Sequence, residues 1–191
     1  MGWTAFLDAC VLYPMGTRDL LLRGAEAYLY QICWSPSVLE EVRRSLVDRQ
    51  RCTSAQADGL IAEMTRAFPE ALVIGYEELV SAMKNNEDDR HVLAAAVTAG
   101  ADVIVTDNPR HFPASACEPY SIEVQTADDF LSYSFDLEPE QMGNTFLRQI
   151  DDLRKPAWDV GFALARLDER LPSFAAKLRT LPRVRAAAGM P

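Results

Sequence analysis

The sequence predicts an α/β fold, a mainly parallel central sheet flanked by helices and followed by an all-helical extension. Three observations predict it. Over the first two thirds of the chain, short apolar runs alternate with amphipathic helical stretches, a pattern that calls for parallel strands covered on both faces. After about Ser134 the alternation stops and only helical periodicity remains, broken at Pro156, Pro172 and Pro182. The composition, 49% hydrophobic and 25% charged over 191 residues, is that of a globular chain. The organisation expected is an α/β domain over residues 1–134 and a helical extension over 135–191.

Each element has a local cause. Residues 3–8 are an apolar run ending in Asp8, which reads as a buried strand. Thr17 is placed to cap a helix carrying Leu20, Leu21, Leu22, Ala25, Tyr28 and Leu29 at helical spacing. Residues 31–34 form a second strand. Ser35-Pro36 then supplies a capping residue with proline at the first helical position, opening a helix through Val38, Leu39, Val42 and Leu46. Ser54 starts another amphipathic helix, residues 71–74 read as a third strand, and a short helix is expected near 77–83. The turn at 85–89 leads into a helix over 91–99 stopped by Gly100. Residues 103–106 are the most apolar strand of the chain, and 122–124 make a fifth.

Charge and cysteine content narrow the function classes. The net charge is −9, opposite to that of a general nucleic-acid coat protein. The acidity is concentrated: residues 1–134 carry 10 basic and 20 acidic side chains, whereas 135–191 carry 9 and 8. Cys10, Cys33, Cys52 and Cys117 form no CxxC pair, so reduced thiols are expected rather than a disulfide framework or a zinc finger. No apolar run approaches the roughly 20 residues of a membrane span. Residues 1–8 lack the basic and apolar regions of a secretory signal, which makes a cytoplasmic location the expectation.

The placement of the acids points to chemistry. In an open parallel sheet the site lies beyond the carboxyl ends of the strands. Asp8 ends the first strand, Asp107 and Asn108 follow the fourth, Asp88 and Asp89 begin the helix entering it, and Glu41 lies one turn into the helix after the second. Two unit charges at about 4 Å repel by about 4 kcal/mol at an effective dielectric near 20. Acids gathered there must protonate or bind a hard cation, and oxygen-only ligation suits Mg²⁺ or Mn²⁺. Hydrolysis of a phosphodiester is the natural reaction of such a site. Each acid also has a local explanation. Asp88 and Asp89 are placed to cap a helix, one of Glu40 and Glu41 is solvated surface, and Asp107-Asn108-Pro109 is a turn signature.

Four blocks resemble those of PIN-domain proteins. They are Phe6-Leu7-Asp8-Ala9-Cys10-Val11-Leu12-Tyr13-Pro14, Ser35-Pro36-Ser37-Val38-Leu39-Glu40-Glu41-Val42-Arg43-Arg44, Asp88-Asp89-Arg90-His91-Val92-Leu93-Ala94-Ala95-Ala96, and Val103-Ile104-Val105-Thr106-Asp107-Asn108-Pro109-Arg110-His111-Phe112-Pro113. The branch most similar is that of the longer VapC-type toxins with a helical carboxyl extension. The resemblance implies an Mg²⁺- or Mn²⁺-dependent ribonuclease, the toxin of a type II toxin–antitoxin pair, with RNA as substrate and an antitoxin as partner. A homodimer is a family-level expectation. By position, Asp8 is the first metal ligand, Glu41 the second in preference to Glu40, and Asp89 the third. Two departures stand out. Asn108 occupies the place where many PIN domains carry a fourth acid, with Asp107 one residue earlier, so both remain candidates. Cys10 stands where a small polar residue is usual.

Other residues admit two readings. Thr106 is placed to hydrogen-bond an acid or simply to end a strand. His91 is read as a helix-surface residue. Arg18, Arg43, Arg44, Arg90 and Arg110 flank the acidic blocks, as RNA contacts or as salt-bridged surface. Trp34 and Trp158 are read as core. The tail from Arg166 to Arg185 has six basic and two acidic side chains and is where the partner or RNA is expected to dock.

Several other strand-end aspartate enzymes are disfavoured. A haloacid-type phosphatase needs an acid two residues after the first, where Cys10 stands. A receiver needs a lysine after a late strand, and the lysines are Lys84, Lys155 and Lys177. No GxGxxG opens any helix, which excludes a dinucleotide site. A PIN fold retained only for RNA or protein binding is the remaining alternative.

Overall fold

The computed structural model describes residues 2–153 and 158–190, so the break expected at Pro156 lies outside the described residues. The elements follow the order β1 (Thr4–Leu7), α1 (Ala9–Leu12), α2 (Met15–Glu26), β2 (Gln31–Cys33), α3 (Pro36–Asp48) and α4 (Ser54–Ala67). Then come α5 (Arg90–Ala99), β3 (Val103–Val105), α6 (Ala114–Cys117), β4 (Glu123–Gln125) and α7 (Ala127–Leu137). The chain closes with α8 (Pro139–Asp152), α9 (Val160–Asp168), α10 (Pro172–Leu178) and α11 (Pro182–Ala187). Contacts divide it into two compact units. The first comprises Met1–Met15 and Tyr30–Thr126, the second Gly16–Leu29 and Ala127–Pro191.

The first unit holds one four-stranded sheet in the order β2-β1-β3-β4, every pair parallel. Central β1 pairs Phe6 with Cys33 on one side and with Ile104 on the other. Ala5, Phe6, Leu7, Ile104 and Val105 are fully buried, as strands covered on both faces require. Ser35 caps α3 by accepting from Val38 N, and Pro36 follows at the first helical position. Gly100 ends α5 in the left-handed conformation (φ 61°) that a side chain would strain.

Two expectations are corrected, at residues 71–74 and at Thr17. Residues 71–74 are not a strand of the sheet: only an isolated parallel bridge, Trp34 to Leu72, forms there. The run is too short to extend, hemmed by the 3₁₀ turn Pro69–Ala71 and by Gly75 at φ 78°. The short helix expected near 77–83 is present as the 3₁₀ helix Glu77–Ala82. The helix assigned to a Thr17 cap starts at Met15, with Thr17 buried inside it.

Among the described residues, the regular elements of the second unit are all helices. Leu20, Leu21, Phe130, Phe146, Leu164, Phe174, Leu178 and Val184 are buried at its core. Asp128 accepts from Ser173 N and Phe174 N at 3.0 and 2.8 Å, capping α10 from α7. Gln149 in α8 donates to Gly16 O at 3.0 Å, and Arg23 pairs with Asp19 and Asp152. These contacts gather α2 with the late helices, although it lies between two strands in the sequence.

Candidate active site

The chain leaves β1 for β2 on one side of the sheet and returns to β3 on the other. The carboxyl ends of β1 and β3 therefore flank a topological switch point, where a parallel sheet opens a crevice. Asp8 follows β1 directly and Thr106 follows β3, and Asp8 N donates to Val105 O at 3.1 Å. Asp8 is only 4% exposed. Its Oδ1 accepts from Ala9 N at 2.6 Å, while Oδ2 accepts from the Thr106 hydroxyl at 2.6 Å and from Cys10 Sγ at 3.1 Å. Burial raises the Asp8 pKa and the Asp89 charge adds to it, against the hydrogen bonds from Thr106, Cys10 and Ala9. A buried carboxylate held in place yet electrostatically disfavoured is one that a cation would relieve.

Glu41 and Asp89 reach the same region from α3 and from the turn before α5. Glu41 Oε1 lies 2.9 Å from His91 Nε2. Asp89 Oδ2 lies 2.6 Å from His111 Nδ1. The Glu41 hydrogen bond, against burial, and the charges of Glu41, Asp8 and Asp89 hold the His91 pKa above its ordinary value. One imidazole thus feels all three carboxylates. Glu40, by contrast, is exposed and paired with Arg43, and the Asp88 side chain is exposed.

At the end of β3 the two candidates separate. Asn108 N donates to Thr106 Oγ at 3.1 Å, tying this half-buried residue to the hydroxyl that holds Asp8. Asp107 is exposed, and its backbone N–H donates to Cys10 Sγ at 3.1 Å. Burial, ahead of the Asp8 charge, pushes the Cys10 thiol up to about 12, so it stays protonated.

His91 is not a surface residue as read from the sequence. Its side chain is 18% exposed and faces Glu41, because position 91 falls on the face of α5 turned toward α3. His111 carried no expected role. The signal was present, since both histidines stand inside acidic blocks, yet their pairing depends on long-range contacts. Arg43 takes the salt-bridged reading, with Glu40 and Asp58. Trp34 is fully buried, as expected, and Trp158 packs edge-on to Phe162 at 5.0 Å.

Among the described residues, no three His, Cys, Asp or Glu side chains close on one point as a preformed metal shell. The donor chemistry nevertheless suits a hard divalent cation. Asp8, Glu41 and Asp89 offer carboxylate oxygens, Asn108 an amide, and no thiolate competes.

Comparison with known proteins bears on both units. The family described as "PIN domain" matches residues 4–110, and the "VapC50 C-terminal domain" matches 127–180. A Mycobacterium tuberculosis (strain ATCC 25618 / H37Rv) protein named "Putative ribonuclease VapC50" is 44% identical over 111 residues, 58% of this chain. The match spans 66% of that relative, just under two thirds of its length. No solved structure gives a significant match. With a buried aspartate at the switch point of its parallel sheet, and with more than half its length matched, the chain belongs to the PIN-domain family.

Proposed function

We propose that this protein is a divalent-metal-dependent endoribonuclease that hydrolyses RNA phosphodiesters, the toxin of a type II toxin–antitoxin pair acting in the cytoplasm. The observation that carries the proposal is a buried Asp8 at the switch point of the sheet, with Glu41 and Asp89 from two further stretches of chain each held by an imidazole, His91 and His111. The 44% identity to the protein named "Putative ribonuclease VapC50" supports it.

In this reading Asp8, Glu41 and Asp89 hold Mg²⁺ or Mn²⁺, with Asn108 at the fourth position and Asp107 as the alternative. When bound, the cation supplies positive charge against the scissile phosphate and makes water a better nucleophile at neutral pH. The chain's own part is preorganisation. Thr106, Cys10 and Ala9 N fix both oxygens of Asp8 before any ligand arrives. Burial of Thr106 and of the apolar ends of β1 and β3 keeps bulk water from the floor of the crevice. Each imidazole is engaged through one ring nitrogen by a carboxylate of the proposed ligand set.

The helical unit is the proposed docking surface for antitoxin or RNA. Basic side chains between residues 166 and 185 have acidic partners, which lowers the charge it can offer: Arg166 with Glu169, Lys177 with Asp136, Arg179 with Asp168 and Arg183 with Glu140. The antitoxin and the expected homodimer remain part of the same proposal. Among the described residues no helix is long and apolar enough to cross a membrane.

The test is cleavage of a structured RNA by the full chain with Mg²⁺, with Mn²⁺ and with a chelator. Cleavage is expected with either cation, and neither the chelated protein nor Asp8→Asn should cut. Cleavage that persists in chelator, or unchanged cleavage by Asp8→Asn, would overturn the reading. If all conditions are silent while RNA is retained, the fold serves binding alone.

A further inference from the structure

Two side chains outside the proposed ligand set lie against it. They are the only histidines in the sequence, and each meets a different carboxylate with a different ring nitrogen. His91 uses Nε2 on Glu41 Oε1 at 2.9 Å, and His111 uses Nδ1 on Asp89 Oδ2 at 2.6 Å. An ionised carboxylate only accepts, so in both pairs the imidazole N–H is the donor.

Both rings are held by the fold. His111 sits in the 3₁₀ turn Pro109–His111, where its own N–H donates to Asn108 O at 2.9 Å. Its carbonyl accepts from Asn86 N at 3.0 Å, stitching the turn after β3 to the turn before α5. Asp89 is secured within that second turn: its N–H donates to Asn86 O at 3.1 Å, and Asn85 Nδ2 donates to its carbonyl at 2.9 Å. The backbone of Asp89 is therefore fixed independently, and what His111 adds is the rotamer of the carboxylate. His91 lies in the first turn of α5, with Nδ1 buried and without a partner among the described residues. Its single polar contact with Glu41 reaches from α5 to α3. One oxygen on each carboxylate is thereby taken by an imidazole.

We infer that His91 and His111 are positioning residues, each fixing through one ring nitrogen the carboxylate, Glu41 or Asp89, that the proposed function assigns to the cation. The inference rests on that reading. Partners that orient a metal's ligands commonly contribute about 10- to 100-fold in metal affinity. Here they also tie the second and third acidic blocks to elements distant in the chain, so that two of the three carboxylates are aimed by tertiary contacts.

The ring nitrogens differ, which allows a crossed rescue with polar substitutions only. The asparagine amide reaches the Nδ1 position of histidine, and the glutamine amide reaches the Nε2 position. His111→Asn and His91→Gln should keep the hydrogen bond, whereas His111→Gln and His91→Asn should lose it. Binding is read by Mn²⁺ alone, titrated against the melting temperature of the full chain, and KM and kcat are measured on one RNA. The two mismatched variants are expected to weaken Mn²⁺ binding about 10- to 100-fold, with kcat falling at subsaturating metal and KM for RNA little changed. The matched variants should stay near wild type. Equal behaviour of matched and mismatched variants, whether both silent or both impaired, overturns the inference. Asp8→Asn separates the two levels. If it abolishes the Mn²⁺ response while the histidine variants are silent, only the positioning role fails; if it binds Mn²⁺ as wild type does, the metal reading fails and the positioning role with it.

Discussion

The Thr106 hydroxyl donates to Asp8 Oδ2 at 2.6 Å across 98 residues of sequence, joining the ends of the two central strands. Thr106 Oγ in turn accepts from Asn108 N at 3.1 Å, so one fully buried threonine touches both the first acid and the residue proposed for the fourth position. Thr106→Val keeps the shape and removes these bonds together with the 3.3 Å contact to Cys10 Sγ. A buried partner left unsatisfied costs about 1–3 kcal/mol, and that is the expected loss in chemical denaturation. RNA cleavage should fall with it, because Asp8 loses its fixed rotamer. A Val variant with unchanged stability would show the bond to be unimportant.

Asp8 makes stability depend on pH in an unusual direction. Burial raises its folded pKa above the unfolded value near 3.8, so the native state holds the proton more tightly than the unfolded chain does. The associated stability is fully present at low pH and is lost as pH rises through the folded pKa. In chelator, Asp8→Asn should therefore melt above the wild type at pH 7, and the difference should vanish toward pH 4. Added Mn²⁺ should reverse the order, since ligand binding stabilises the protein that binds it.

The neighbouring glutamates should behave oppositely. Glu41→Gln removes a carboxylate from the site, and a drop in kcat of more than about 100-fold is expected, comparable to losing a preorganised electrostatic group. Glu40→Gln breaks only an exposed pair with Arg43 and should cost less than about 1 kcal/mol of stability with cleavage intact. Steady-state kinetics on both variants checks the assignment, and loss at Glu40 would reverse it.

Asn108 and Asp107 can be distinguished in the same way. Asn108→Ala should lower cleavage about 10-fold or more, the scale of losing an oriented group at a metal site. Asp107→Asn should leave it near wild type, because that side chain is exposed. The reverse ranking would hand the fourth position to Asp107.

Much of this was legible in the residues. The alternation of strand and helix, the cap at Ser35, the stop at Gly100 and the strand-end position of Asp8 all arise from patterns a few residues long. The run at 71–74 misled because its apolar residues suit a strand, while Pro69 and Gly75 leave room only for a single bridge. The contacts divide the described chain at 126/127 and bring α2 into the helical unit, since its buried leucines belong to the helical core.

The sequence by itself determined that acids would stand at the ends of parallel strands, because backbone periodicity and capping are local. Only the tertiary structure decided which of them meet and what holds them. Glu41 rather than Glu40 turns toward α5, His111 grips Asp89 from 22 residues away, and Thr106 reaches Asp8 through the parallel register of β1 and β3. Those encounters depend on strand register and helix packing, which no short stretch of chain encodes.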